Sequence, residues 1–158
     1  MKIDDIILSL SKYDTPTMCN AMENVLGTRT AFGFTKNQVV ATERCKKVIV
    51  GFAKTAKIRA ASPPLITKEE VDKNRANYYE YIVTNEKYPL VVIEDTDYPN
   101  TVGAFWGELN VAIHKGLGIK GTLTNGLVRD LDMLDEGYQV IAGGVGPSHA
   151  YVHVTELD

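Results

Sequence analysis

Two cysteines, Cys19 and Cys45, are all the chain of 158 residues contains, too few for a secreted disulfide framework and at no spacing that a metal site uses. An intracellular, reducing compartment is expected. Long apolar runs are missing as well. The stretch MKIDDIILSL places Asp4 and Asp5 ahead of a short hydrophobic run, the wrong charge order for a secretory leader and too short to span a bilayer. Charge of one sign is also lacking. Lys and Arg total 17 against 20 Asp and Glu, a net charge of -3 spread throughout, with no basic stripe of the kind nucleic-acid binding uses. The reading is therefore cytoplasmic, with no membrane and no nucleic-acid partner. No repeat, low-complexity tract or linker divides the sequence, and Pro63-Pro64 and DTDYPNTVG (95 to 103) read as internal loops. One domain over residues 1 to 158 is expected. With 44% apolar residues it can bury roughly 70% of its unfolded surface.

What is present alternates between two periodicities. Thr15-Pro16 reads as an N-cap followed by proline at the first helical position, with TMCNAMENVL running as a helix to a stop at Gly27. VIVGFAKTAKIRA (48 to 60) mixes β-branched residues with partial alternation around Gly51, a strand with a bulge or bend. Thr67 and Glu70 have capping-box spacing, and Val71, Tyr78, Tyr79, Ile82 and Val83 place an apolar face on a helix reaching about Thr84. PLVVIED (89 to 95) is a buried strand by length and composition. AFWGELNVAIHK (104 to 115) has helical spacing with Gly116 as its stop. IKGTLT (119 to 124) suits a strand, VRDLDMLDE (128 to 136) a short helix closed by Gly137, and YQVIAGG (138 to 144) a further strand. Strands alternating with helices define an α/β class, a mostly parallel sheet under helices. In such sheets ligands gather beyond the carboxyl ends of the strands, here the loops 95 to 106 and 125 to 129.

GLGIKG (116 to 121) spells a dinucleotide-binding pattern, but that fingerprint needs a strand before it and a helix after it, and here the order is reversed. No phosphate-binding P-loop pattern occurs. The strand ends instead offer WGELN (106 to 110) and the adjacent Arg129-Asp130. A helix beginning near Gly107 presents free backbone N–H groups to a small carboxylate. Arg129 can grip the same anion with a planar fork of donors. Asp130, pointing the other way or bridged by a cation, is a hard oxygen ligand of the sort magnesium accepts. Each residue also has a plainer reading: Arg-Asp at a helix start as solvated charge, Glu108 as a first-turn acid, His114 as a surface or packing residue. Cys19 and Cys45 read as small, wholly or partly buried residues. His149 and His153, in HAYVH, alternate on one face of a strand about 13 Å apart, too far to share a metal.

The order VGAFWGELNVAIHKGLGIKGTLTNGLVRD, then GYQVIAGGVGPS, resembles the RraA-like family, which includes 4-hydroxy-4-methyl-2-oxoglutarate aldolases, oxaloacetate decarboxylases and the regulator of ribonuclease activity A. DTPTMCNAME and VIVGFAKTAKI extend the resemblance over most of residues 13 to 150. It implies a layered α/β/α-type sandwich of the swivelling β/β/α kind, assembled as a homotrimer or hexamer. It further implies a divalent-metal-dependent lyase, a pyruvate aldolase or decarboxylase using Mg or Mn, that cleaves a carbon-carbon bond of a small 2-oxo acid. By that resemblance Arg129 binds the pyruvyl carboxylate and enolate, Asp130 holds the metal, and Glu108 lies near metal-bound water. Gly107, Glu108, Leu109 and Asn110 form the carboxylate cradle. Met133 stands where family aldolases often carry another acid, and Asn125 where many relatives have Asp. The chain ends at VTELD, short of the family's further strands. The alternative implied by the same resemblance is a non-catalytic regulator that binds a ribonuclease.

Overall fold

The computed structural model describes residues 2–42, 48–83 and 87–157, so the reading of Cys45 falls outside the described residues. Local sequence signals account for most element starts. Helix α1 spans Ile3–Leu10 and takes in the short apolar run near the start of the sequence. Helix α2 spans Thr15–Leu26, and its N-cap is Asp14 rather than Thr15: Oδ1 accepts from the Thr17 amide at 3.0 Å, placing Pro16 at the second helical position. Gly27, with φ at 71°, ends the helix as expected. Strand β1 (Val40–Ala41) and strand β2 (Phe52–Arg59) precede helix α3, Lys68–Ile82. The capping box forms in full, Thr67 Oγ1 accepting from the Glu70 amide at 3.2 Å and Glu70 Oε2 from the Thr67 amide at 2.8 Å.

Strand β3 (Pro89–Asp95) matches the apolar run. Beyond it the elements are shorter than their sequence patterns. Residues 104 to 106 are not the start of a helix but strand β4 (Ala104–Trp106), and helix α4 covers Glu108–Gly116. Strand β5 is Gly121–Thr124, and strand β6 is Leu127–Val128. The helix expected over 128 to 136 is absent there; a single 3-10 turn, Leu131–Met133, follows β6 because Asp130 adopts φ 56°, a left-handed conformation that no α-helix accommodates. The strand expected over 138 to 144 divides at Gly143 into β7 (Gln139–Ala142) and β8 (Gly144–Val145). Glycine is required at that division, since a Cβ on Gly143 would lie 2.2 Å from the Asn125 carbonyl oxygen. Strand β9, His153–Leu157, completes the order.

Two sheets result. Four parallel strands in the order β7-β5-β3-β2 form the centre of a six-stranded sheet, edged by β1 antiparallel to β7 and β9 antiparallel to β2. Strands β4, β6 and β8 make a second, wholly parallel sheet. The chain crosses from the larger sheet to the smaller at Asn125-Gly126. Asn125 brackets the end of β3, accepting from the Asp95 amide at 2.7 Å and donating Nδ2 to the Asp95 carbonyl at 3.1 Å. An aspartate could not supply that second bond.

The core between the sheets and α3 and α4 is aromatic. Trp106 packs against His114 and Tyr138, with ring centroids 4.5 and 6.0 Å away, and all three residues are buried. His114 Nδ1 faces the Asn110 carbonyl at 2.6 Å and must donate to it, so Nε2 accepts from Tyr78 Oη, also at 2.6 Å. Burial pushes this imidazole down to about 4, against the opposing pull of the Asn110 carbonyl. His114 is thus a satisfied packing residue. Helix α2, by contrast, has no buried residue. No helix among the described residues is long and apolar enough to cross a membrane.

Candidate functional site

The carboxyl ends of β4 and β6 lie side by side in the smaller sheet, tied by an Arg129 amide that donates to the Trp106 carbonyl at 2.8 Å. This sets the chain leaving β4, Gly107 and the start of α4, against the chain leaving β6, Arg129 and Asp130. Gly107 has φ -166°, extended backbone open to any residue. Space is what requires glycine: a Cβ there would stand 2.6 Å from Asp130 Oδ2 and 3.0 Å from Arg129 Cγ. The close approach that Gly107 permits is therefore by the protein's own Arg-Asp pair.

The two charges fold onto each other over the helix start. Asp130 Oδ2 is 3.3 Å from Arg129 Nε and accepts from the Glu108 amide at 3.2 Å. Asp130 consequently does not point away from Arg129. Its left-handed backbone, tolerated by aspartate better than by most residues, turns the carboxylate back toward α4. One of the three leading amides of α4 is thereby taken, while those of Leu109 and Asn110 have no acceptor among the described residues; the next, Val111, bonds the Gly107 carbonyl. Asn110 offers its backbone only. Its Nδ2 donates to the Phe105 carbonyl and its Oδ1 accepts from Tyr79 Oη at 3.2 Å.

A cavity of about 360 Å³ opens beside Arg129, walled by Gly107, Leu109 and Asn110 and, from other parts of the chain, by Arg75, His149 and His153. Among the described residues two arginines and no acidic side chain line it, which suits an anion. Glu108 and Asp130 are not among its walls. Asp130 borders a neighbouring depression with Leu131, and Arg129 stands between the two. The structure thus brings Gly107, Leu109, Asn110 and Arg129 to one cavity and leaves Glu108 and Asp130 off its walls.

The sequence points to no role for Arg75 and reads His149 and His153 only as residues of one strand, too far apart to share a metal. HAYVH is not a single strand: His149 sits in a turn and His153 begins β9. The turn is tight, with Ala150 at φ 46°, the Val152 amide on the His149 carbonyl at 3.1 Å and the Ala104 amide on the Ser148 carbonyl at 2.8 Å. Arg75 was legible in part, one helical turn from Val71 and from Tyr79 on the same face of α3. GLGIKG falls as its order indicated, Gly116 ending α4 and Gly118 turning at φ 85° before β5.

The family model for RraA-like proteins, described as Aldolase/RraA, matches residues 15–156, and the chain belongs to that family. No curated protein matches it in sequence. Among solved structures, one described as novel cellulases from microbes associated with the gut ecosystem superposes with a TM-score of 0.66 at 18% identity, covering 99% of this chain and 66% of that one. RraAS2 of Streptomyces coelicolor, described as an unusual member of the RNase ES inhibitor RraA protein family, gives 0.59 at 20% identity, covering 98% and 71%. An uncharacterized protein of Pseudomonas syringae pv. tomato gives 0.62 at 16%, covering 99% and 64%. These likenesses fix the fold. The chain spans about two thirds of the length of these structures.

Proposed function

We propose that this protein is a metal-dependent lyase that cleaves a carbon-carbon bond of a small 2-oxo acid to release pyruvate, a pyruvate aldolase or oxaloacetate decarboxylase. The observation that carries the reading is the convergence of Arg129 with the amides of Leu109 and Asn110, without acceptors among the described residues, on one cavity that no acidic side chain among those residues lines. The substrate carboxylate binds those two amides, where the helix N-terminus favours negative charge. The Arg129 guanidinium then balances the charge that grows on the 2-oxo oxygen as the bond breaks and an enolate forms. Gly107 keeps the backbone close enough for both contacts.

The donors fit a hard divalent ion. Asp130 Oδ1 has no protein partner among the described residues, Glu108 follows Gly107 on the facing chain, and no group of three His, Cys, Asp or Glu forms an all-protein cage there. Magnesium and manganese accept one or two carboxylates with water in the other positions. Such an ion, when bound, supplies Lewis acidity at the 2-oxo oxygen. Asp130 would hold it in this reading, with Glu108 near the water that completes its shell.

Assembly as a homotrimer or hexamer belongs to the same proposal. The chain exposes 9910 Å², whereas a monomeric protein of this length exposes roughly 8,000 Å². The excess is of the size that stable interfaces bury. Cytoplasmic localisation is proposed with it.

A second reading, a non-catalytic regulator that binds a ribonuclease, is favoured by one observation: Asp130 Oδ2 is already satisfied by the Glu108 amide and Arg129 without any ion. One experiment separates the two. Pyruvate release from oxaloacetate and from 4-hydroxy-4-methyl-2-oxoglutarate is measured with magnesium or manganese and then with chelator. Chelator-sensitive release above the metal-only blank is expected; none from a folded, oligomeric sample would leave the regulator.

A further inference from the structure

We propose that His153 is the general base and acid of aldol cleavage at this site, an inference that rests on the lyase reading above. His153 lines the same cavity as Arg129 and as Leu109 and Asn110, whose amides have no acceptor among the described residues. The residue is 7% exposed. His153 Nδ1 lies 2.8 Å from the Tyr151 carbonyl oxygen, which can only accept, so Nδ1 carries the proton and Nε2 is left with its lone pair. Nε2 has no hydrogen-bond partner among the described residues. The buried side-chain atoms sealed off without a partner among the described residues are Asp95 Oδ2, Trp106 Nε1 and Gln139 Oε1, and His153 Nε2 is not one of them. The free nitrogen belongs to a residue of the cavity wall. A fixed tautomer, a buried ring and a single open nitrogen are what proton transfer to a bound substrate requires.

Two other groups are less well placed. Glu108 is absent from the cavity wall. His149 lines the cavity but is exposed on the turn, its Nδ1 bonded at 2.7 Å to the carbonyl of the adjacent Ala150. His153 is instead anchored in β9, whose register sets it opposite Arg59 of β2.

With a 4-hydroxy-2-oxo acid bound, His153 Nε2 takes the proton of the 4-hydroxyl. The C4–O bond becomes a carbonyl, the C3–C4 bond breaks, and its electron pair forms the C2–C3 double bond of the enolate, with the charge on the 2-oxo oxygen. The imidazolium then returns the proton to C3, giving the methyl group of pyruvate. Atoms, electrons and the proton balance with no further reactant. Decarboxylation of oxaloacetate differs in the step that matters: the 4-carboxylate is already ionised, so carbon dioxide leaves with no proton to remove, and the enolate can take its proton from water.

The two substrates therefore test the residue against itself. His153→Asn keeps a donor for the Tyr151 carbonyl and removes Nε2. It is expected to lose about 100-fold or more in kcat for cleavage of 4-hydroxy-4-methyl-2-oxoglutarate, while decarboxylating oxaloacetate within a few-fold of wild type. Retained decarboxylation also shows that the variant is folded and the cradle intact; if His153→Asn does not fold by circular dichroism, His153→Gln is measured in the same way. Equal losses on both substrates, unchanged cleavage, or a selective loss in His149→Asn in place of His153→Asn would overturn the assignment. Failure of the wild type on both substrates overturns the lyase reading itself, a distinguishable result that takes this inference with it.

Discussion

Asp130 Oδ2 accepts the Glu108 amide at 3.2 Å while standing 3.3 Å from Arg129 Nε, so one carboxylate oxygen joins the end of one strand to the start of the neighbouring helix. That oxygen both organises the site and occupies its edge. Removing it separates two functions of the pair. Asp130→Ala is expected to abolish chelator-sensitive pyruvate release and to lose manganese binding, read by electron paramagnetic resonance of the free ion. Arg129→Ala is expected to abolish release with manganese binding retained, and Arg129→Lys to restore little, because an ammonium cannot reproduce the fork. Wild-type turnover in any of the three would refute the assignment.

Gly107 makes a sterically sharper prediction. A methyl group there would meet Asp130 Oδ2 at 2.6 Å and Arg129 Cγ at 3.0 Å, and its φ of -166° costs alanine nothing. Gly107→Ala should displace the pair rather than unfold the chain. The expected result is a loss of pyruvate release of tenfold or more, with a melting temperature lowered by only a few degrees, as for about 1 kcal/mol of overpacking.

Acid should destabilise the core through His114. Its folded value is pushed down to about 4 from an ordinary 6.5. Below 6.5 the unfolded chain binds a proton that the folded chain refuses, so stability present above 6.5 is lost as pH falls toward 4 and then levels. The effect has a ceiling on the order of 3 kcal/mol. Urea unfolding at pH 7, 6, 5 and 4 measures it. In His114→Gln that slope should shrink, alongside lower stability at pH 7 from the lost Tyr78 hydrogen bond. An unchanged slope would show that other groups set the acid limb.

Association should depend on α2. Met22, Val25 and Phe32 are 53%, 83% and 77% exposed, and α2 buries none of its residues against the rest of the chain. Val25→Asp is expected to leave the circular dichroism spectrum intact and to reduce the mass measured by light scattering. An unaltered mass would place any interface elsewhere.

Sequence legibility followed element length. PLVVIED and the Thr67-capped helix were readable because seven and fifteen residues carry a full apolar pattern and a cap. Strands β4, β6 and β8 were not, since two or three residues have no period to detect, and Val128, Leu131 and Leu134 imitate a helical face. The missed crossing at Asn125-Gly126 moved Arg129 from the larger sheet to the smaller one without changing its neighbours at Gly107. The residues expected at the site are thus brought together by a route different from the one inferred. Arg75, His149 and His153 were hidden for another reason: their meeting with Arg129 is made by α3 and the turn before β9, contacts that no local pattern announces.

The left-handed backbone at Asp130 has a consequence for how such a protein can change over time. Asparagine and glycine accept that conformation as readily as aspartate does. Replacement by either would remove the carboxylate and leave the scaffold standing. At this position, then, a carboxylate can be lost in a single step while the surrounding surface is inherited unchanged.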